Sequence, residues 1–195
     1  MGSVREPSGY RKVPMSVSFD SQCSRCPRLS VFLKKIRREY PEYYARPVPA
    51  FGGEDPGLLV VGLAPGLHGA NATGRPFTGD YAGILLYETL HRFGFASAPV
   101  SEQREDGLEL YDCRITNAVK CLPPENKPTG TEVRTCNPYL AEELSALRTG
   151  AVVLALGSIA HNAVLRAFDL KQSANKFGHG HRHPLPGERL LVDSY

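Results

Sequence analysis

Two short, uninterrupted apolar segments constrain the fold of this chain most strongly. They are Leu-Leu-Val-Val at residues 58–61 and Ala-Val-Val-Leu-Ala-Leu at residues 151–156. A strand with one face in water alternates apolar and polar residues, whereas a strand covered on both faces is continuously apolar, as in parallel sheets. Both segments are far shorter than the ~20 apolar residues of a membrane-spanning helix. We therefore expect two buried strands and no transmembrane segment.

Predicted helices alternate with strands along the chain. Helices are predicted over residues 27–40, 83–93, 137–148 and 158–168, and further strands over residues 113–119 and 189–192. This alternation predicts an α/β fold with a mainly parallel sheet and helices on both of its faces. No linker or internal repeat divides the 195 residues. We expect one domain, residues 1–195, whose first 20 residues are irregular.

The charge of the chain permits a polyanionic partner without requiring one. Lys and Arg number 23 against 20 Asp and Glu, a net charge of +3, and the sequence pI is about 8.6. Six basic residues fall between residues 25 and 38, where no acidic residue occurs. On the predicted helix they form a basic face, which is either a phosphate-binding surface or an ordinary solvated one.

The amino-terminal residues lack the pattern of a secretory signal peptide. Residues 1–14 include Arg5, Arg11 and Lys12, but no apolar core follows these basic residues. We therefore expect a cytoplasmic protein, and in that compartment thiols are normally reduced.

The cysteines predict a metal centre. Disulfides are not expected, because the number of cysteines is odd and the chain lacks an export signal. Cys23 and Cys26 form a C-x-x-C pair, and Cys121 and Cys136 form a second pair with fourteen residues between them. Four thiolates bind either Zn²⁺ or an iron–sulfur cluster, and the spacing does not separate the two. Four unrelated thiols remain the alternative, whereas Cys113 lies in an apolar predicted strand and is excluded.

A long glycine-rich loop, residues 62–80, follows the first buried strand. It contains five glycines and two prolines, and loops of this length inside compact domains are usually functional. It lacks the Gly-Lys-Ser/Thr ending of a phosphate-binding P-loop and the spacing of a dinucleotide-binding motif. In a parallel sheet this loop and the polar residue Asn117, at the end of the next strand, point into one crevice.

Several side chains in this predicted crevice are candidates for chemistry. Asp80 can orient or activate a water, or it can simply cap the following helix. Phe77 can stack on a planar ligand or belong to the core. His68 and Asn71 offer polar edges. The amide of Asn117 presents both a donor and an acceptor, as recognition of a nucleobase edge requires.

A second group of possible ligands is formed by His179, His181 and His183, which alternate in a Gly- and Pro-flanked segment. We favour a surface loop over a metal site for this segment. His161 and His91 fall within predicted helices, and no function is assigned to either.

Together these residues resemble the uracil-DNA glycosylase superfamily, specifically its type 5 (type b) iron–sulfur branch. The resemblance spans most of the chain from Cys23 onwards. It rests on the C-x-x-C pair, on Gly-Leu-Ala-Pro-Gly at 62–66, on Gly-Arg-Pro-Phe-Thr-Gly-Asp at 74–80, and on Thr-Asn-Ala-Val-Lys-Cys at 116–121 together with Cys136. Leu63 separates the chain from the similar type 4 enzymes, which carry Glu there. Several other branches place a polar catalytic residue at or next to the position of Ala64.

The resemblance implies a three-layer α/β/α sandwich with a mainly parallel central sheet. It also implies a structural [4Fe-4S] cluster, whose ligands are Cys23, Cys26, Cys121 and Cys136. The implied partner is DNA that contains uracil or another deaminated base. We expect a monomer with no membrane association, located in the cytoplasm and, in a prokaryote, at the nucleoid.

The activity implied is that of a monofunctional DNA repair glycosylase. It hydrolyses the N-glycosidic bond of uracil, often also of hypoxanthine or xanthine, and leaves an abasic site that initiates base excision repair. By similarity, Asp80 positions the attacking water, Asn117 binds the base and supports catalysis, and Phe77 stacks on the flipped base. The substrate-binding residues expected on the same grounds are Gly62, Leu63, Ala64, His68, Phe77 and Asn117.

The last motif of the family is absent from the 195 residues, so we expect either a fragment or a naturally shortened chain in which one donor to the leaving base is missing. This motif is a His-x-Ser segment whose histidine reaches the base carbonyl, and it follows a strand that ends like Leu-Val-Asp-Ser-Tyr at residues 191–195. The loss of such a donor costs ~2.7–4 kcal/mol in the transition state, so weak activity is expected from these residues alone. The alternatives are a catalytically weak or inactive DNA-binding iron–sulfur protein of the same fold and, from the cysteines alone, an electron carrier or a zinc-stabilised domain.

Overall fold

A six-stranded sheet forms the centre of the protein, whose computed structural model describes residues 18–195. Its strands are β1 (Phe51–Gly52), β2 (Leu58–Gly62), β3 (Cys113–Asn117), β4 (Val152–Leu156), β5 (Arg182–Leu185) and β6 (Arg189–Ser194). Their order across the sheet is β1-β3-β2-β4-β6-β5. The four inner strands are parallel, and the two edge strands pair antiparallel with their neighbours. The irregular segment predicted for residues 1–20 lies outside the described residues except for residues 18–20.

Helices cover both faces of this sheet. They are α1 (Pro27–Glu39), α2 (Ala70–Thr73), α3 (Tyr81–Arg92), α4 (Gly130–Ser145) and α5 (Ser158–Ala167), with short 3₁₀ turns at Pro124–Asn126 and Gln172–Ala174. Helices α4 and α5 share a core with Leu59 and Val61 of β2. Helix α3 packs on the opposite face with Val60. Successive residues of a strand point to opposite faces, so burial on both sides requires the continuous apolar run. The predicted α/β/α sandwich is confirmed.

The register of β2 and β3 brings the ends of both strands to the same edge of the sheet. Gly62 pairs with Asn117 at the carboxyl ends of these parallel strands. The pairing continues past the strands, because the N–H groups of Ala118 and Val119 donate to the carbonyls of Gly62 and Leu63. The glycine-rich loop and the segment that follows β3 therefore leave the sheet side by side, as predicted.

The predicted start of α4 at Asn137-Pro138 is wrong. The helix begins at Gly130, and a capping box fixes that start: Thr129 accepts from the backbone N–H of Glu132, whose carboxylate accepts from the backbone N–H of Thr129. Pro138 lies inside the helix, where one backbone donor is absent. None of the helices within residues 18–195 is long and apolar enough to cross a membrane.

The carboxyl-terminal hairpin of β5 and β6 also differs from prediction. His183 does not lie in the predicted surface loop; it lies on β5 and is buried. The alternating burial of β5 turns His183 and Leu185 inward. His179 and His181 precede the strand and are exposed.

Candidate functional site

A cavity of about 510 Å³ opens at the carboxyl ends of β2 and β3. This volume lies in the range of ligand pockets. Six of the predicted site residues line it together: Gly62, Leu63, Ala64, Phe77, Asp80 and Asn117. Further lining residues were not predicted from the sequence, among them Tyr81, Leu85, Ser194 and Tyr195. Of these, Ser194 and Tyr195 could have been placed at the cavity from the sheet topology alone, because β6 runs parallel to β4 and ends at the same edge.

The carboxylate of Asp80 has two neighbours. Its Oδ1 accepts a hydrogen bond of 2.8 Å from the backbone N–H of Gly83, so Asp80 is the N-cap of α3. Its other oxygen lies against the glycine-rich loop: a Cβ atom at Gly69 would approach Oδ2 to 2.6 Å, and one at Gly66 to 3.8 Å. The two interpretations of Asp80 are therefore compatible, because one oxygen caps the helix while the half-buried group also lines the cavity.

Phe77 and Asn117 converge on Gly62. A Cβ atom at Gly62 would lie 2.4 Å from Cζ of Phe77 and 2.5 Å from Oδ1 of Asn117. Only a glycine leaves room for both side chains at this point. Asn117 is 4% exposed, and its side-chain amide makes no hydrogen bond to another residue among residues 18–195. Its donor and its acceptor are therefore both available to a planar ligand beside the Phe77 ring.

The other two polar candidates of the loop lie elsewhere. His68 is exposed and does not line the cavity; its Nδ1 is 2.7 Å from the hydroxyl of Tyr43, and its ring packs edge-on against Tyr40. Asn71 is fully buried, and its backbone carbonyl accepts from the N–H of Ala45. Asn71 thus ties the loop to the connection after α1 and presents no polar edge to the cavity.

The four paired cysteines meet at a second site. Cys23 and Cys26 precede and open α1, Cys121 follows β3, and Cys136 lies on α4; all four line one small cavity. In contrast, Cys113 packs with α3 on the other face of the sheet.

Burial controls the acidity of these thiols. It raises the pKa of Cys26 to about 11, with a further contribution from neighbouring thiols, and it raises the pKa of Cys121 as well. Burial acts in the same direction on Cys23, but hydrogen bonds with Tyr139 and Arg25 outweigh it and lower that pKa. Because metal ligands are thiolates, binding of a metal here must release protons.

The spacing of the sulfur atoms bears on what they can bind. Four sulfurs at ~2.3 Å from a single zinc ion lie about 3.8 Å from one another. Among residues 18–195, His161, His183 and Asp193 are the only three potential ligands whose atoms all lie within 4.8 Å of one another. No three of the four cysteine sulfurs meet this criterion.

The His161, His183 and Asp193 cluster is a hydrogen-bonded network. Nδ1 of His161 lies 2.7 Å from Oδ1 of Asp193, and Nε2 of His183 lies 3.0 Å from Oδ2. Nε2 of His161 lies 2.9 Å from the carbonyl of Asn175, and the N–H of Gly178 donates to Asp193. Two ligands of a tetrahedral zinc ion lie about 3.3 Å apart. The shorter distances are those of direct hydrogen bonds, which join α5 to both strands of the hairpin.

The predicted basic face of α1 is partly used within the protein. The guanidinium of Arg28 forms two hydrogen bonds with Glu132 of α4, at 2.8 and 2.7 Å, beside the cysteine site. Nε of Arg37 donates to the carbonyl of Ala45. Lys34 and Arg38 are exposed on the same helix. The face thus combines structural contacts with exposed positive charge.

Comparisons with known proteins identify the family. The family model described as the uracil DNA glycosylase superfamily matches residues 49–192. A protein named Type-5 uracil-DNA glycosylase from Thermus thermophilus is 47% identical over 178 residues, which cover 89% of this chain and 81% of the relative. Proteins of the same name from Pyrobaculum aerophilum and Mycobacterium leprae are 46% and 43% identical, over 80% and 88% of this chain and 70% and 79% of their own length. The chain belongs to the uracil DNA glycosylase superfamily and, within it, to the type-5 family.

Proposed function

We propose that this protein is a monofunctional uracil-DNA glycosylase that hydrolyses the N-glycosidic bond of uracil in DNA and leaves an abasic site for base excision repair. The proposal rests on the slot, by which we mean the space at Gly62 that the side chains of Phe77 and Asn117 enclose. Asp80 lines the same cavity. The names of the type-5 relatives support the same activity.

The proposed reaction requires a base outside the helical stack. Enzymes that act on a base in duplex DNA flip it into a pocket and read it by stacking and hydrogen bonding. The ring of Phe77 stacks on the flipped uracil, and the amide of Asn117 hydrogen-bonds its polar edge. The backbone of Gly62, Leu63 and Ala64 lines the same cavity. His68 lies outside the cavity, so we assign it no contact with the base.

Charge develops on both sides of the bond that breaks. Water attacks C1′ of the deoxyribose while the C1′–N1 bond cleaves, so positive charge builds on the sugar and negative charge on the departing base. The carboxylate of Asp80 orients the water and stabilises the positive sugar. The amide of Asn117 stabilises the negative base, as donors do in an oxyanion hole. Hypoxanthine and xanthine are further proposed substrates, because they present a similar polar edge.

We propose a [4Fe-4S] cluster at Cys23, Cys26, Cys121 and Cys136, in a structural role. The donor set of four thiols in one small cavity supports the cluster, and so does the likeness to the type-5 relatives. When bound, the cluster supplies covalent cross-links among three segments of the chain. The residues then brace α1 and α4 against the connection that follows β3.

The proposed partner is DNA, bound by a monomer with one domain over residues 1–195. Exposed charge on α1, at Lys34 and Arg38, supports contact with phosphates without sequence readout. The proposed location is the cytoplasm, at the nucleoid in a prokaryote.

The test is release of uracil from a duplex oligonucleotide that carries a single uracil, scored as alkaline strand breakage. Asp80→Asn retains the helix cap, because Asn is as good an N-cap as Asp. We expect the variant to release base ~10²- to 10⁴-fold more slowly with unchanged affinity for the DNA. The matched control is Asp169→Asn, at an exposed residue with positive φ that Asn tolerates. Binding of the uracil duplex by wild type without base release overturns the proposal.

A further inference from the structure

The backbone of Phe77 is held in an unfavourable conformation. Its φ is +54°, a value in the left-handed region that a bulky side chain seldom adopts. Residues keep such conformations only where the surrounding structure determines them from several sides. Here the conformation turns the ring towards Gly62 and Asn117 in the cavity.

A buried arginine joins the residues on both sides of Phe77. Arg75 is 3% exposed. Its Nε donates to Oγ1 of Thr78 at 3.0 Å, and its Nη2 donates to Oγ of Ser101 at 2.7 Å. Its guanidinium also forms a two-pronged pair with Asp106, in which Nη1 to Oδ1 measures 2.8 Å. Arg75 and Thr78 are thereby fixed to each other and to a separate loop.

Helix α3 holds the intervening peptide groups. The hydroxyl of the buried Tyr87 donates to the carbonyl of Pro76 at 2.8 Å. The carbonyl of Phe77 packs so closely on Gly83 that a Cβ atom there would lie 1.8 Å from its oxygen. The conformation at Phe77 is therefore constrained from the helix and from Arg75.

Asp106 is itself fixed within its loop. The backbone N–H groups of Glu102 and Leu108 donate to its carboxylate at 3.0 and 2.9 Å. Burial acts to raise the pKa of Asp106, but hydrogen bonds from Arg75 and from these backbone groups outweigh it and lower the pKa. Asp106 is thus a rigid anionic anchor for the guanidinium, and it does not itself line the cavity.

We propose that Asp106, acting through Arg75, is a positioning residue for Phe77: the ion pair holds residues 75–78 in the conformation that places the Phe77 ring beside Asn117. The inference rests on the proposed function, in which that ring stacks on the flipped base. Asp106 contacts neither base nor water, so its effect on the reaction passes through the position of one ring.

A double-mutant cycle of Asp106→Asn with Phe77→Ala tests this role. In the otherwise wild-type protein, Asp106→Asn lowers kcat/KM for uracil release ~10- to 100-fold, as misplacement of a catalytic group by about 1 Å does. In the Phe77→Ala background the same substitution has no further effect, because residues that act through one another are not additive. An equal loss in both backgrounds, or no loss in either, overturns the proposal.

Two more arms keep the test decisive. Tyr87→Phe removes the hydroxyl contacts with Pro76 and Thr78, and it gives a smaller loss with the same non-additivity, should Asp106→Asn fold poorly. Asp112→Asn, which weakens an exposed pair with Arg148, leaves uracil release unchanged.

Amide hydrogen exchange of residues 74–80 supplies a readout that is independent of activity. Asp106→Asn accelerates exchange in this segment relative to wild type, and unchanged exchange overturns the positioning role. Absence of uracil release from the wild-type protein overturns the proposed function, and exchange then decides the positioning role alone.

Discussion

The cavity and the cysteine site lie at the two ends of one short connection, residues 117–121, yet they are held together differently. At the cavity, a hydrogen-bonded network of Arg75, Asp106 and Tyr87 fixes the loop that carries Phe77. At the cysteine site, the four cysteines come from three separate segments that meet mainly through apolar contacts. Polar contacts within the chain thus fix the cavity loop, whereas at the cysteine site the proposed cluster would add the cross-links among the segments.

The connection between the two sites is itself well anchored. The N–H of Lys120 donates to Sγ of Cys136 at 3.3 Å, and the buried ammonium of Lys120 pairs with both oxygens of Glu143 at 2.8 Å. Asn117 and Cys121 are therefore parts of one packed segment. We expect a disturbance at the cysteine site to reach Asn117 through this segment, whereas the loop that carries Phe77 has supports of its own.

Cys121→Ser has the largest expected effect, because it removes one of the four proposed ligands of the cluster. Metal binding at such sites is coupled to folding. We expect loss of iron and of broad visible absorption, a much lower melting temperature, and loss of uracil release. Iron and sulfide analysis with thermal unfolding measures these effects. Cys113→Ala, at a buried thiol outside the site, retains the iron. Stoichiometric zinc in place of iron contradicts the proposed cluster.

Gly62→Ala disturbs the other region. The added methyl group meets both Phe77 and Asn117, so we expect uracil release to fall about 10²-fold. Iron content stays at the wild-type level, because the cysteine site does not depend on the slot. The matched control is Gly53→Ala, where a Cβ atom meets nothing within 4 Å. A parallel loss of iron in Gly62→Ala would show that the cysteine site depends on the cavity.

The two regions were also unequally predictable from sequence. The crevice could be predicted because continuous apolar runs identify parallel strands, and parallel strands end at one edge of the sheet. The Arg75–Asp106 pair could not, since it joins loop residues 31 apart and neither loop has a periodicity that indicates its fold. The predicted start of α4 was wrong because Asn137-Pro138 also has the pattern of a helix start, whereas the capping box of Thr129 and Glu132 sets the actual one. His183 was misplaced because only the hairpin with β6, a tertiary pairing, makes its segment a strand.

Glu132→Gln is expected to have the smallest effect. It tests whether the ion pair of Arg28 and Glu132, beside the cysteine site, stabilises the protein. Gln at this position still completes the capping box, so the variant keeps the helix cap while it weakens the charged pair with Arg28, which is 43% exposed. Partly exposed pairs contribute little. We expect the melting temperature at pH 7 to fall by about 2 °C, with uracil release unchanged. Glu125→Gln, at an exposed residue, is the matched control.

The pH dependence of this difference identifies its origin. The hydrogen bond from Arg28 is the main cause that lowers the pKa of Glu132 from its ordinary value of 4.5. A carboxyl with a lowered pKa in the folded state contributes stability that is complete above its ordinary pKa and is lost as pH falls through the lowered one. The melting temperatures of wild type and Glu132→Gln should therefore differ at pH 7 and converge as pH falls below about 4.5. A difference that persists in acid assigns the effect to the capping box, and the ion pair then contributes nothing to the cysteine site.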